Sequence, residues 1–335
     1  MQYTNLGRTG CKVSRLCLGT MNFGPRTPEP ESHAIMTKAL ELGMNFWDTA
    51  NVYGGPNKGG TEEILGNFFR ANPGQREKVV LATKYQGNMA DGPNDRGASA
   101  VHIRHAAEAS LKRLKTDYID LFQMHHINRD TPWDEVYQAL ETLRQQGKII
   151  YAGVSNHPGW GIAEAVEAAR RIGVLGIVSE QSKYSLFCRH IELEVLPACR
   201  RYGVAVIPWS PLDGGFLGGV LTEVKGGRRA HEGTVKKIAA HRPQLEKWES
   251  LCKSINEQPA DVALAWMLAV PGITAPIIGP RTMDQLTGSL RALEITVTDD
   301  LKNKLDEIFP SLRHPDMSWN NNSPYKYEAP EAYAW

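Results

Sequence analysis

Eight short apolar runs, each followed by a longer stretch of helical character, dominate the chain and leave few folds open to it. They are VSRLCLG (13–19), MNFW (44–47), VVLATK (79–84), YIDLFQM (118–124), IIYAGV (149–154), GIVSEQ (176–181), VAVIPW (204–209) and ITAPIIG (273–279). Between them lie amphipathic segments such as PESHAIMTKALELG (30–43), SAVHIRHAAEASLKRL (99–114) and PWDEVYQALETLRQQG (132–147). Gly43 and Gly147 stand where a helix would end in a left-handed cap. Thr131 before Pro132 reads as an N-cap followed by proline at the first helical position. Strands alternating with helices build a parallel sheet, and eight such units in 335 residues fit a closed (β/α)8 barrel, an α/β TIM barrel. The rival, an open dinucleotide-binding sheet, predicts G-x-G-x-x-G after the first strand. The chain has GTMNFG there, without the middle glycine.

Charge and cysteine usage narrow the partners. The 38 basic and 37 acidic residues leave a net charge of +1, with no Lys/Arg block, so neither a nucleic-acid footprint nor a membrane-surface pattern is present. Small molecules are the expected partners. Cys11, Cys17, Cys188, Cys199 and Cys252 are odd in number, scattered and without a C-x-x-C pair, which argues reduced thiols rather than a disulfide framework or a zinc site. The N-terminus has no apolar signal region, and no window reaches the roughly 18 apolar residues of a membrane helix, so a cytoplasmic protein is expected. A monomer and a homo-oligomer are both compatible with this composition.

A barrel of this kind carries its chemistry where the carboxyl ends of the strands converge. Those ends read Asp48, Lys84, His125, Ser155 with Asn156, Gln181, Trp209 with Ser210, and Gly279 with Arg281 just beyond. Asp48, Lys84 and His125 come from successive strands, and Tyr53 lies in the loop that follows Asp48. A phenol of pKa about 10 is a poor acid at neutral pH, but a nearby ammonium stabilises its phenolate. A buried lysine needs a counter-charge, which Asp48 can supply, and His125 could orient a carbonyl oxygen. Taken singly, these residues have plainer readings. Asp48 is ordinary turn chemistry, Tyr53 a loop-rim tyrosine and Trp209 a core aromatic. As neighbours on a strand, His125 and His126 should face opposite sides, so that at most one enters the mouth. Neither histidine has a metal-ligand pattern beside it. Glu180 and Lys183 read as structural or loop charges, and His102, Arg104 and His105 as the solvated face of a helix. A barrel isomerase or aldolase using Lys84 as a Schiff base is a third reading.

The motifs DTANVYG, LATK, YIDLFQMHH, GVSNH, EQSKYS, PWSPLDGGFLGG and IIGPRT, in that order at successive strand ends, closely resemble the aldo-keto reductase superfamily over residues 3–310. YQALETLRQQGKIIYAGVSN and LEVLPACRRYGVAVIPWSPLDGG are most similar to its bacterial-type branch, which includes keto-deoxysugar nucleotide reductases. The resemblance implies NADPH-dependent reduction of an aldehyde or ketone, with Tyr53 as general acid supported by Asp48, Lys84 and His125. It implies an extended NADP(H). Ser155, Asn156 and Gln181 would hold the nicotinamide carboxamide, and Trp209 would stack on the ring. Ser210, Pro211, Leu212, Gly214 and Gly215 would form the pyrophosphate belt, and Gly279, Arg281, Gln285 and Ser289 the adenosine end. Gly19, Thr20 and Met21 would lie at the nicotinamide ribose. Family members often carry Asn or Gln where Ser289 stands, which implies a weaker adenine contact. Arg281 suits a bidentate grip on a ribose 2′-phosphate and so favours NADP, with Arg228 and Arg229 as a possible second phosphate contact. The same barrel and tetrad occur in potassium-channel beta subunits, which implies a nucleotide-sensing regulator as the alternative.

One barrel domain over 1–310 is expected, followed by an aromatic tail over 311–335 as a lid or interface. The glycine-rich 210–233 segment reads as a loop covering a ligand. Asn94, Asp95, Arg96 and Arg129 give the mouth loops a polar character suited to a sugar-like or hydroxylated carbonyl compound.

Overall fold

The structure is a computed structural model that describes residues 1–221 and 232–311. Eight parallel strands curl into the sheet of a (β/α)8 barrel. In chain order they are β3 (Cys17–Gly19), β4 (Phe46–Asp48), β5 (Val80–Tyr85), β6 (Ile119–Met124), β7 (Ile149–Ser155), β8 (Ile177–Gln181), β9 (Ala205–Val206) and β10 (Ile277–Ile278). The hydrogen-bonded order is β10-β3-β4-β5-β6-β7-β8-β9. Two backbone bonds close the circle from the far side: Thr274 N donates to Val206 O at 2.9 Å and Ile277 N to Pro208 O at 2.8 Å. Strands β9 and β10 are shorter than the apolar runs that contain them. Pro208 and Pro276 lack the N–H a ladder needs, so regular pairing stops beside each.

The first apolar run is not one strand. It divides into β2 (Lys12–Ser14) and β3, with Arg15 between them donating to Ile273 O at 2.6 Å and Thr274 O at 2.8 Å. β2 pairs antiparallel with β1 (Tyr3–Asn5), a hairpin whose short strands carry little apolar signal. The hairpin closes the barrel floor: Leu6 and Val13, both fully buried, pack with Phe46, Ala82, Leu121 and Ala205 in an inner cluster separate from the helix-facing core. The fit is close at Gly7, where a Cβ would stand 2.7 Å from the Gly203 and Val178 carbonyl oxygens.

Outside the sheet lie α1 (Glu29–Glu41), α2 (Gly60–Ala71), α3 (Ala100–Leu114), α4 (Trp133–Gln145), α5 (Gly159–Arg171), α6 (Val195–Tyr202), α7 (Glu232–Ala240), α8 (Arg242–Ser254), α9 (Pro259–Ala269), α10 (Met283–Gly288) and α11 (Asp299–Ile308). Gly43 (φ 77°) and Gly147 (φ 71°) adopt the left-handed conformation expected of them after α1 and α4. The start of α4 differs from expectation by one residue. Pro132 is itself the cap, because Thr131 is held in a turn in which its N–H donates to Asn128 Oδ1 at 3.0 Å. None of the described helices is long and apolar enough to cross a membrane.

Of the 210–233 segment, the described part begins with a tight turn at Asp213–Gly215, and its last residues enter α7. Residues 222–231, with Arg228 and Arg229, and 312–335, with most of the aromatic tail, lie outside the described residues.

Candidate active site

Side chains alternate along a strand, so a residue two places beyond an inward core residue also points inward, one layer higher. Phe46, Ala82 and Leu121 belong to the inner cluster. Asp48, Lys84 and Gln123 stand two places on and form a polar layer above it. Lys84 Nζ donates to Asp48 Oδ1 at 2.6 Å, to Thr49 O at 2.9 Å and to Tyr53 Oη at 3.4 Å. The other Asp48 oxygen accepts from Gln181 Nε2 at 2.8 Å and Gln123 Nε2 at 3.3 Å. Gln123 stands before the HH pair and was overlooked in the sequence, where a glutamine inside an apolar run carries no chemical signal. Gly153 makes room for this layer: a Cβ there would stand 2.3 Å from Ser179 Oγ and 3.1 Å from Gln123 Cγ.

Tyr53 enters from the loop after β4. Gly59 N and Thr61 N donate to its carbonyl at 2.9 and 3.4 Å, and the turn requires Gly54 (φ 126°), where a Cβ would meet Asn57 O at 2.1 Å. Its ring meets that of His125 edge-on at 6.0 Å between centroids. Asp48, Tyr53, Lys84 and His125 are therefore brought together at one end of the barrel.

Electrostatics differ in one respect from the sequence reading. Burial pushes the Tyr53 phenol above its ordinary value, and the Lys84 ammonium only partly opposes this. The phenol is thus a neutral proton carrier rather than a preformed phenolate. Burial acts to lower the Lys84 pKa, but Asp48 and Tyr53 outweigh it and hold the ammonium above its ordinary range. Burial, followed by the Lys84 charge and His126, pushes His125 down to about 3. At neutral pH its imidazole is uncharged. His125 and His126 do not face opposite sides. They follow the end of β6 rather than lying in it, and their rings stack at 4.7 Å with planes 4° apart.

The residues aligned with the nicotinamide end cluster beside this group. Asn156 sits in the left-handed region (φ 57°). Trp209 Nε1 donates to Asn156 Oδ1 at 3.0 Å, and the Ser155 hydroxyl donates to Gln181 O at 2.7 Å. Gln181 uses its amide nitrogen on Asp48, which leaves Oε1 without a partner among the described residues. Thr20 is buried, its hydroxyl donating to Asp48 O at 2.9 Å, while Met21 is 46% exposed at the rim. Gly19 is a packing glycine, since a Cβ there would stand 2.9 Å from Ile278 O.

Farther round the mouth, Ser210 (φ 58°) precedes the buried Pro211 and half-buried Leu212, and Asp213 (φ 47°), Gly214 (φ 72°) and Gly215 (φ 100°) follow them in the left-handed region. Gly214 N donates to Ser210 Oγ at 3.1 Å and Gly215 N to Leu212 O at 2.9 Å, so these two amides are internally paired. A Cβ on Gly214 would meet nothing within 4 Å, which marks open space above the turn. Gly279 is exposed and accepts from Asn22 Nδ2 at 2.8 Å. Gln285 turns back so that Arg281 N donates to its Oε1 at 2.8 Å, and Ser289 donates to Leu286 O at 2.6 Å. The Arg281 guanidinium has no partner among the described residues.

Residues 15–309 match the model of the Aldo/keto reductase family. The chain belongs to that family. It is 50% identical to the Uncharacterized oxidoreductase YrpG of Bacillus subtilis, with 100% of each chain covered. It is 32% identical to a Probable voltage-gated potassium channel subunit beta of Oryza sativa (93% of this chain, 97% of the relative) and 32% identical to Norsolorinic acid reductase stcV of Emericella nidulans (90% and 79%).

Of two buried polar residues outside the candidate site, His102 departs from its sequence reading and Glu180 keeps a structural one. His102 is buried rather than solvated, its Nδ1 2.9 Å from Asn94 O, and so ties the first turn of α3 to the 86–97 loop. Glu180 is fully buried behind Asn156 and His157, accepting from Ser182 Oγ at 2.6 Å and His157 N at 3.3 Å. Burial pushes its carboxyl from an ordinary 4.5 up to about 7. The folded state therefore holds a proton that the unfolded chain releases, so this stabilisation is complete below 4.5 and is lost as pH rises through 7. The shift corresponds to about 3 kcal/mol. Glu180→Gln, which cannot ionise, should gain about that much relative to the unaltered protein between pH 5 and pH 8. Urea unfolding of both proteins at the two pH values checks it; parallel changes would refute the assignment.

Proposed function

We propose that this protein reduces an aldehyde or ketone to the alcohol with NADPH, reversibly, and that Tyr53 is the general acid. The observation that carries this reading is the chain of contacts from Asp48 to Lys84 (2.6 Å) to Tyr53 (3.4 Å), closed by an uncharged His125 against the phenol. A charged lysine beside a neutral phenol lowers the cost of the phenolate left when the proton departs. Asp48, held by Gln123 and Gln181, keeps that lysine charged in a buried setting. The neutral His125 serves as a hydrogen-bond partner that orients the carbonyl oxygen beside the phenol.

The residues present fit an extended dinucleotide. Asn156 Oδ1 and Gln181 Oε1 are acceptors suited to a carboxamide N–H2, with Trp209 fixed beside them by its bond to Asn156. Open space lies over Gly214, and the Arg281 guanidinium has no partner among the described residues. When bound, the reduced nicotinamide would supply the hydride to the carbonyl carbon. Arg281 supports NADP over NAD, because a guanidinium recognises a phosphate through paired N–H donors. Arg281→Ala should weaken NADPH binding by about tenfold or more and leave NADH binding within about twofold. Fluorescence titration of both cofactors measures this, and an equal loss on both would remove Arg281 from 2′-phosphate recognition.

Consumption of NADPH on a panel of aldehydes, ketones and keto-sugars tests the reaction. The similarity to a potassium-channel beta subunit favours a second reading, a nucleotide-sensing regulator. Tight NADPH binding without turnover on any member of the panel would select it.

A further inference from the structure

The loop that carries Tyr53 is tied to the strand that carries Lys84 through one buried carboxylate. Glu62 lies in the first turn of α2 and is fully buried. Its Oε1 accepts from Thr83 Oγ1 at 2.5 Å, and its Oε2 accepts from Arg113 Nε at 2.7 Å. Thr83 precedes Lys84 in β5, and side chains alternate along a strand, so Thr83 meets α2 outside the sheet while Lys84 enters the site. Arg113 belongs to α3, and its guanidinium also donates to Ser110 Oγ at 3.2 Å. One side chain therefore joins α2, α3 and β5.

The same turn of α2 holds Tyr53. Gly59 N and Thr61 N, the second next to Glu62 in the chain, both donate to the Tyr53 carbonyl. The Arg113 stem lies against this turn, since a Cβ on Gly59 would stand 2.6 Å from Arg113 Cδ. The contact that this arrangement has to preserve is that of Tyr53 Oη with Lys84 Nζ, which at 3.4 Å stands at the long end of a hydrogen bond. An outward shift of the loop by about 0.5 Å would break it.

We propose that Glu62 is a positioning residue for proton transfer: by holding Thr83 with one oxygen and Arg113 with the other, it fixes the Tyr53 loop against β5 and so sets the contact between phenol and ammonium. The inference rests on the reductase reading above. Glu62 acts on the reacting groups only through Thr83 and the Tyr53 loop. Its loss therefore leaves the acid in place but displaced from the charge that eases its deprotonation. Such a displacement slows the proton-coupled step and spares cofactor binding, because the contacts among Asn156, Gln181 and Trp209 do not pass through α2.

The test measures the single-turnover rate of NADPH oxidation with whichever aldehyde, ketone or keto-sugar of the panel reacts fastest, together with NADPH affinity and urea unfolding. Thr83→Val keeps the shape of the side chain and removes the hydroxyl that meets Glu62, and should slow the step by about threefold or more. Glu62→Met/Arg113→Met removes both charges together, so that neither is left buried alone, and should slow it by about tenfold or more. Both variants should bind NADPH within about twofold of the unaltered protein. Thr83→Val leaves the ion pair intact, so it decides the assignment even where the double variant does not fold. As a control, Arg76→Met/Asp120→Leu removes another largely buried pair, 2.7 Å apart and away from Tyr53. It should lose stability but keep the single-turnover rate within about twofold. An unchanged rate in Thr83→Val, NADPH affinity lost in step with the rate, or equal slowing in the control would overturn the assignment. Absence of turnover of the whole panel by the unaltered protein would overturn the reductase reading itself, and this assignment with it.

Discussion

Replacing Tyr53 by Phe should lower kcat for carbonyl reduction by about three orders of magnitude or more and leave NADPH affinity within about twofold. The variant removes one oxygen. It keeps the ring that meets His125 edge-on, and it keeps the Lys84–Asp48 pair, since Lys84 still donates to Asp48 Oδ1 and Thr49 O. None of the contacts among Asn156, Gln181 and Trp209 passes through the phenol. A hydride transferred without a matching proton leaves an alkoxide in a partly buried site, and no other group there is as well placed to neutralise it. His125, pushed down to about 3, holds no spare proton at neutral pH. Steady-state kinetics together with fluorescence titration of NADPH would measure both halves. Normal turnover in Tyr53→Phe would show that the acid is a different group.

Lys84→Met should be the most damaging single change to the fold within the site, because it leaves the Asp48 carboxylate buried with only two amide donors. Removing one partner of a buried pair costs about 3–5 kcal/mol, most of it the uncompensated charge. Activity should fall with it, since nothing then eases deprotonation of Tyr53. The double variant Lys84→Met/Asp48→Leu removes both charges and should recover part of that stability while remaining inactive. Urea unfolding of the two single variants and the double variant tests this. Additive losses would mean that the 2.6 Å contact contributes little coupling.

A proposed reductase site of this kind divides into parts that a sequence can and cannot reveal. Asp48, Lys84 and His125 were legible because polar residues end apolar runs on successive strands, and a parallel barrel gathers such ends on one side. Tyr53 was legible only through the motif around it, since a loop tyrosine has no periodicity to mark its direction. Gln123 and Gly153 were not legible. One is a glutamine inside a strand and the other an empty place beside it, and their use depends on cross-strand register between β6 and β7. The N-terminal hairpin was missed for a related reason: three-residue strands are shorter than any pattern of alternation can establish.

The two histidines show most clearly where sequence reasoning stops. Strand alternation would have sent them to opposite faces, but β6 ends at Met124 and alternation ends with it. The stacked pair beside Asn156, and the Glu180 carboxyl raised by burial behind His157, both depend on neighbours distant in the chain. By itself the sequence determined the eight barrel strands, the fold class and most of the polar residues at the mouth, because periodicity and strand ends are local properties. Only the tertiary structure decided which of those residues touch, which are charged and which donors remain free, because hydrogen bonding and desolvation depend on groups brought together from separate strands.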